Sequence, residues 1–250
     1  MGTFRDVQNF VHDARSVTTL GNLHELLQAT VQSFGFQYYA LGHHASVAQD
    51  NLLQIGNYPD AWMHTLYQRE YIFDDPVLRA CQNTAVGFRW SEVDKLIELS
   101  AKQKEILACA SRAGMGEGFT VPVHIPGECT GSCSFAYRVG KPLNEAVLPA
   151  AHCIGGFGFE AARRLARQTD GRKRTLGIVE FLTSRQLDCV VLVARGKSDW
   201  EAAQILGLSQ DTVHQHVETA KRKYGVATRT QLVIRALFDN QLGFEDVIAR

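Results

Sequence analysis

No stretch of this 250-residue chain approaches the roughly 18 consecutive apolar residues that a membrane-spanning helix needs, so a transmembrane segment is excluded. Neither charge is in excess, because 26 Lys+Arg stand against 26 Asp+Glu. There is no internal repeat and no biased tract, and 45% of residues are hydrophobic. Collagen-like, low-complexity and mostly disordered chains are thereby excluded, leaving a globular chain of one or two domains. The start, Met1-Gly-Thr-Phe-Arg-Asp6, lacks an apolar core followed by a small-residue cleavage site. A cytoplasmic protein with no membrane partner is expected. The six cysteines show no pairing framework, and a chain of this size buries a core without one. Cys129 and Cys133 are four apart, neither CxxC nor joined by spaced histidines, so no metal is expected and the thiols read as small buried hydrophobes.

The neutral total conceals an asymmetry. Residues 1–170 hold 14 basic and 17 acidic side chains, and residues 171–250 hold 12 and 9. Within 161–235 the counts are 14 basic against seven acidic. An anion-binding half joined to a half with another task follows from that distribution. Between the halves, Gln168-Thr-Asp-Gly-Arg-Lys-Arg-Thr-Leu-Gly177 is polar, basic and broken by glycine, hence a linker. The division expected is 1–167, a linker 168–180, and 181–250.

The first part alternates. An amphipathic helix is expected over 20–34 and β-like runs over 38–41, 52–55, 118–123 and 131–136. Helical segments follow the pattern near 60–67, 92–113 and 159–167. This is α+β, a sheet covered by helices in an α-β-α sandwich, which can enclose a small ligand. The second part is all-α. Thr183-Ser-Arg-Gln186 and Ser198-Asp-Trp-Glu201 fit the capping box, where a hydroxyl accepts the third helical amide and Gln or Glu reaches back. A short helix then breaks at Gly207, and Ser209 caps a longer helix to Tyr224. Val213, Val217, Ala220 and Tyr224 form its inner face, while Thr212, His214, Gln215, Glu218, Thr219 and Arg222 point outward beside Lys221 and Lys223. Such a unit suits major-groove reading, polar tips for bases and cations for phosphates. A solvated helix with a basic end fits the same residues equally well.

The full run separates the two. Leu182-Thr-Ser-Arg-Gln, Ala194-Arg-Gly-Lys-Ser, Glu201-Ala-Ala-Gln-Ile-Leu-Gly-Leu-Ser, Thr212-Val-His-Gln-His216 and Arg222-Lys-Tyr-Gly-Val226 stand at fixed offsets. Together they closely resemble the LuxR-type helix-turn-helix domain. Gln186 replaces the usual Glu, Ala202 the usual Ile, and Gln241-Leu-Gly-Phe the usual Gly-Leu-Ile. The resemblance implies a four-helix DNA-binding domain, with recognition by residues among Ser209, Thr212, His214, Gln215, His216, Glu218, Thr219, Lys221, Arg222 and Lys223. A last helix over about 230–241 would be available for pairing.

That domain also serves response regulators, but the first half lacks the acidic pair, strand-end Asp and late Lys of a phospho-receiver. It has instead Asn57-Tyr-Pro-Asp-Ala-Trp62, Asp74-Asp-Pro-Val77 and Gly87-Phe-Arg-Trp90, then Ala110-Ser-Arg-Ala-Gly114, Gly118-Phe-Thr-Val-Pro122 and Gly131-Ser-Cys-Ser134. These resemble the acyl-homoserine-lactone-binding domain of quorum-sensing LuxR-type regulators. The resemblance implies that Trp62 donates to the lactone carbonyl, Asp75 accepts the amide N–H, and Tyr58 with Ser134 bonds the acyl carbonyl. Trp90, Val77, Leu66, Ile106, Ala110, Met115 and Thr120 would complete the site, with Asp74 at the surface. Leu66 stands where the family usually has Tyr, and Val77 where some members have Thr. A chain without a 3-oxo group, or a branched or aryl chain, is therefore expected.

The function expected is that of a ligand-responsive, homodimeric transcriptional regulator binding inverted-repeat promoter DNA, with RNA polymerase a further candidate partner. An N-acyl-homoserine lactone would be the signal and no cofactor is needed. A ligand-independent regulator keeping the fold is the nearest alternative. A thiol or lactone-hydrolysing enzyme is disfavoured: no cysteine sits beside a recognisable base, His43-His44 lacks a third ligand, and His214 and His216 lie on different helix faces.

Overall fold

The computed structural model describes residues 4–44, 54–125, 128–169 and 181–248. The chain divides into two compact units, Met1–Arg172 and Lys173–Arg250, each with its own apolar core. Most of the expected linker, 170–180, with Arg172, Lys173 and Arg174, lies outside the described residues.

The first unit runs α1 (Phe4–Ser16), α2 (Leu20–Ser33), β1 (Tyr38–His43), β2 (Gln54–Gly56), α3 (Asp60–Gln68), α4 (Pro76–Ala80) and β3 (Phe88–Arg89). It continues with α5 (Val93–Leu96), α6 (Ala101–Arg112), β4 (Met115–Val123), β5 (Gly131–Arg138) and α7 (Leu148–Thr169). The strands form one antiparallel sheet in the order β2-β1-β5-β4-β3.

Side chains alternate across a strand, and β5 shows what that does here. Cys133, Phe135 and Tyr137 enter the core shared with α1, α2 and α7, against Phe10, Leu27 and Ile154. Ser132, Ser134 and Ala136 face the other way, toward α3, α4 and α6. Helices therefore cover both faces, the α-β-α arrangement expected.

Two local readings are corrected. The segment expected as one helix over 92–113 is two, because Ser100 opens α6 with its own capping box: Gln103 N donates to Ser100 Oγ at 3.2 Å and Ser100 N to Gln103 Oε1 at 3.0 Å. α7 starts at Leu148 instead of 159. Its Gly155 is a contact residue, since a Cβ there would lie 3.0 Å from Val121 Cγ2 and 3.2 Å from Cys133 Cβ. The strand expected over 52–55 is observed as Gln54–Gly56, with residues 52 and 53 outside the described set. α1 was not anticipated, although its buried Val7, Phe10 and Ala14 carry helical spacing.

The second unit contains α8 (Ser184–Ala194), α9 (Asp199–Leu206), α10 (Gln210–Tyr224), α11 (Arg229–Phe238) and a short α12 (Phe244–Ile248). Capping boxes open α8 at Thr183, α9 at Ser198 and α11 at Thr228. Gly207, at φ 64°, makes the turn between α9 and α10 in the left-handed region that costs glycine little. Cys189, Val190, Ala202, Ala203, Val213, Val217, Ala220 and Leu232 form the core. Among the described residues no helix is long and apolar enough to cross a membrane.

Candidate functional site

The sheet face carrying Ser132 and Ser134 is not filled by side chains. It floors a cavity of about 220 Å³ roofed by α3, α4 and α6. Asn57 places the first functional group. Its side chain accepts from Tyr39 N at 2.7 Å and donates to Gln37 O at 3.1 Å, clamping the loop onto β1 and directing Tyr58 inward. Pro59 then starts α3, and Trp62 and Leu66, one turn apart, reach the cavity at 3% and 7% exposure. Asp75 caps α4, accepting from Val77 N at 2.8 Å, with Pro76 in the first turn where no N–H is needed. Ile106 and Ala110 come from α6, Met115 opens β4, and Ser134 lies on β5.

Trp90 is held from behind. Its indole N–H donates to Thr120 Oγ1 at 2.9 Å, and Thr120 Oγ1 pairs with Ser134 Oγ at 2.8 Å. Gly118 leaves room for this ring, because a Cβ there would sit 2.4 Å from Trp90 Cε2. Thr120, expected at the ligand, is thus not on the cavity wall: it is fully buried and fixes Trp90 and Ser134. Tyr58, Trp62, Leu66, Asp75, Val77, Trp90, Ile106, Ala110, Met115 and Ser134 all line the cavity.

Burial of a few polar groups in a mostly apolar lining sets the electrostatics. Burial pushes the Asp75 carboxyl up to about 6 against the opposing pull of the Val77 and Leu78 amides. Burial likewise raises the Tyr58 hydroxyl, with Ser134 in hydrogen-bonding reach pulling it back. Among the described residues nothing accepts from the Trp62 indole N–H. Asp74 points elsewhere, to surface ion pairs with Lys102 at 2.6 Å and Arg79 at 3.3 Å. Cys81, Cys109, Cys133, Cys153 and Cys189 are free thiols. Cys81, fully buried, has its thiol pushed up to about 12 by desolvation, which leaves it protonated and a poor nucleophile.

The sequence reading missed His44 and Ser132, which also line the cavity. Period-two alternation from Ser134 marks Ser132 as facing the same side.

In the second unit, Ser209 caps α10 by accepting from Thr212 N at 3.1 Å. His214, Gln215 and Arg222 are exposed, whereas Thr212, His216, Glu218, Thr219, Lys221 and Lys223 are half-buried. Several are already engaged. Lys221 pairs with Glu218 at 2.7 Å, Arg222 reaches Thr219 at 3.1 Å, Lys223 donates to Phe181 O at 2.5 Å, and His214 contacts Asp199 at 3.1 Å. The outward face of α10 is therefore polar, and Arg222 is its most open cation.

Comparison with known proteins gives two family matches, the autoinducer binding domain over residues 19–162 and the luxR family of bacterial regulatory proteins over residues 180–236. The chain is 32% identical over 180 residues to the transcriptional activator protein BjaR1 of Bradyrhizobium diazoefficiens, covering 72% of each. It is 22% identical over 219 residues to the transcriptional activator protein LuxR of Aliivibrio fischeri, covering 86% of each. Its fold is similar to that of SdiA of Escherichia coli, with a TM-score of 0.62 at 19% identity over 95% of this chain and 98% of that one. SdiA has also been solved in complex with octanoyl-rac-glycerol, with a TM-score of 0.61 to this chain at 20% identity, over 96% and 97% of the two.

Proposed function

Because the chain belongs to the LuxR family of transcriptional regulators with an autoinducer-binding domain, we propose that its cavity takes an N-acyl-homoserine lactone and that its homodimer binds inverted-repeat promoter DNA through α10. The observation that carries this reading is the convergence of one donor, one acceptor and two hydroxyls, from Trp62, Asp75, Tyr58 and Ser134, on a single cavity. An indole only donates, an ionised carboxylate only accepts, and hydroxyls do either. A lactone carbonyl, an amide N–H and an acyl carbonyl are the complement of that set. The acyl group would lie along Leu66, Val77, Ile106 and Met115, which offer no partner for a 3-oxo group.

The same set explains a signal response. An empty cavity leaves the Trp62 donor unpaired and the Asp75 carboxylate desolvated, each a cost of about 1–3 kcal/mol. Ligand removes both costs, completes the core of the first unit, and shifts the population toward the ordered form able to pair and to set two α10 helices in successive grooves. Residues 168–180 would connect the two tasks. A cytoplasmic location follows from DNA as the target.

Thermal denaturation of the full chain against a panel of acyl- and aroyl-homoserine lactones tests this. At least one should raise the midpoint in proportion to the logarithm of its concentration. A panel without effect, with DNA affinity equal in its presence and absence, would leave only a ligand-independent regulator.

A further inference from the structure

The cavity has a second polar station. Ser132 and Ser134 share one face of β5, two residues apart and so separated by roughly 7 Å along the strand. Opposite them on β1 lie Gly42 and Ala40, neither large enough to fill the space between strand and roof. Pairing continues past the end of β1, since His44 N donates to Thr130 O at 2.7 Å. Alternation then sends the His44 ring to the side of Gly42, and its Nε2 comes within 2.8 Å of Ser132 Oγ. Both residues line the cavity.

The pair is neutral and adaptable. Burial, with His43 and His124 nearby, lowers the His44 pKa to about 4, so its ring is uncharged at neutral pH. Among the described residues its buried Nδ1 has no partner. A histidine tautomer is set by the bond its other nitrogen makes, and no described residue supplies that bond here. If Nε2 donates to Ser132, the serine hydroxyl has its proton free; if Nε2 accepts, Ser132 keeps an acceptor lone pair free. The buried Cys81 thiol, the other neighbour of Ser132, takes at most one of these positions. Among the described residues no Lys or Arg lines the cavity, and the one carboxylate that does, Asp75, belongs to the first station, so a charged group would find no counter-charge there beside His44.

We propose that His44 and Ser132 read a neutral hydroxyl carried on the acyl or aroyl chain of the lactone, roughly 7 Å beyond the acyl carbonyl held at Ser134. This rests on the lactone reading of the cavity and adds to it the class of chain. It also accounts for the apolar Leu66 and Val77: polar recognition of the chain is moved from its third carbon to its far end. A hydroxyl is the group that can meet the pair in either tautomer, whereas a carbonyl only accepts and an ammonium only donates.

The test is calorimetric titration of the full chain with two matched pairs of homoserine lactones, 4-hydroxybenzoyl against benzoyl and 6-hydroxyhexanoyl against hexanoyl. The wild type should prefer the hydroxylated member of at least one pair by about tenfold, the worth of one satisfied buried hydrogen bond. His44→Phe and Ser132→Ala should each bring that ratio close to one. Binding of the plain lactones with no gain from the hydroxyl, or a preference that survives both substitutions, overturns this proposal and leaves the lactone reading standing. If none of the four binds, the lactone reading fails and takes the proposal with it. The wild-type comparison requires no variant to fold.

Discussion

Replacing Asp75 by Asn separates the cost of the empty site from its use. In the unfolded chain this carboxyl titrates at its ordinary 3.8, and in the folded, empty domain burial raises it to about 6. An acid whose pKa rises on folding holds its proton more tightly in the native state. Its contribution to stability is complete below pH 3.8, falls between 3.8 and about 6, and is absent above that. At about 1.4 kcal/mol per pH unit, the shift amounts to about 3 kcal/mol against the folded state at neutral pH. The carboxylate keeps some surface open to the cavity, so this figure is a ceiling. Asparagine retains the side-chain oxygen that caps α4 at Val77 N, and it is as good an N-cap as aspartate. Urea denaturation of the ligand-free chain should therefore find Asp75→Asn more stable than the wild type by about 1–3 kcal/mol at pH 7 and equal to it near pH 4. A lactone should raise the stability of the wild type and leave the variant nearly unchanged. A difference between the two chains that is the same at both pH values would refute the argument, because it would show that ionisation of Asp75 carries no penalty in the empty site.

Other perturbations reach the site from behind. Gly118→Ala places a Cβ 2.4 Å from the Trp90 ring, so the ring must move; overpacking of this kind costs about 1–3 kcal/mol, and denaturation together with lactone titration should show stability and affinity falling together. Thr120→Val keeps the shape but leaves the Trp90 N–H unpaired and Ser134 unanchored, and it should cost about 1–3 kcal/mol in urea. In the second unit, Arg222→Gln should lower the slope of log affinity against log salt by about one for specific and random duplexes alike, as loss of a phosphate contact does. An unchanged slope in a filter-binding series would remove Arg222 from the interface.

Much of this site is legible in the sequence through the motifs shared with the family, and the structure shows that these motifs sit on local signals. Asp75 precedes a proline that must begin a helix, Trp62 and Leu66 are one turn apart, and Ser134 lies in a strand bounded by glycine. The helix starts at Thr183, Ser198 and Ser209 are equally local, since a capping side chain bonds an amide only three residues away. What was not legible depends on tertiary contact. The family resemblance implies Thr120 as a ligand group, and only the packing of Trp90 against Gly118 shows it as a support behind the wall. Gly155 of α7 carries no local signal either, and only the sheet residues Val121 and Cys133 beneath it show why a side chain does not fit there. His44 carries no motif. Its place on the cavity wall comes from a strand register that continues past the end of β1 to Thr130.

Binding of a lactone amide by Trp62, Asp75, Tyr58 and Ser134 is tested by calorimetric titration of one N-acyl-homoserine lactone into the wild type and into Trp62→Phe. Phenylalanine keeps the apolar wall and removes the single indole donor. The account predicts saturable one-to-one binding by the wild type, weakened by about 1–3 kcal/mol, or roughly 5- to 150-fold, in the variant. Equal affinity in the two chains, or no binding of any lactone by the wild type, would contradict it.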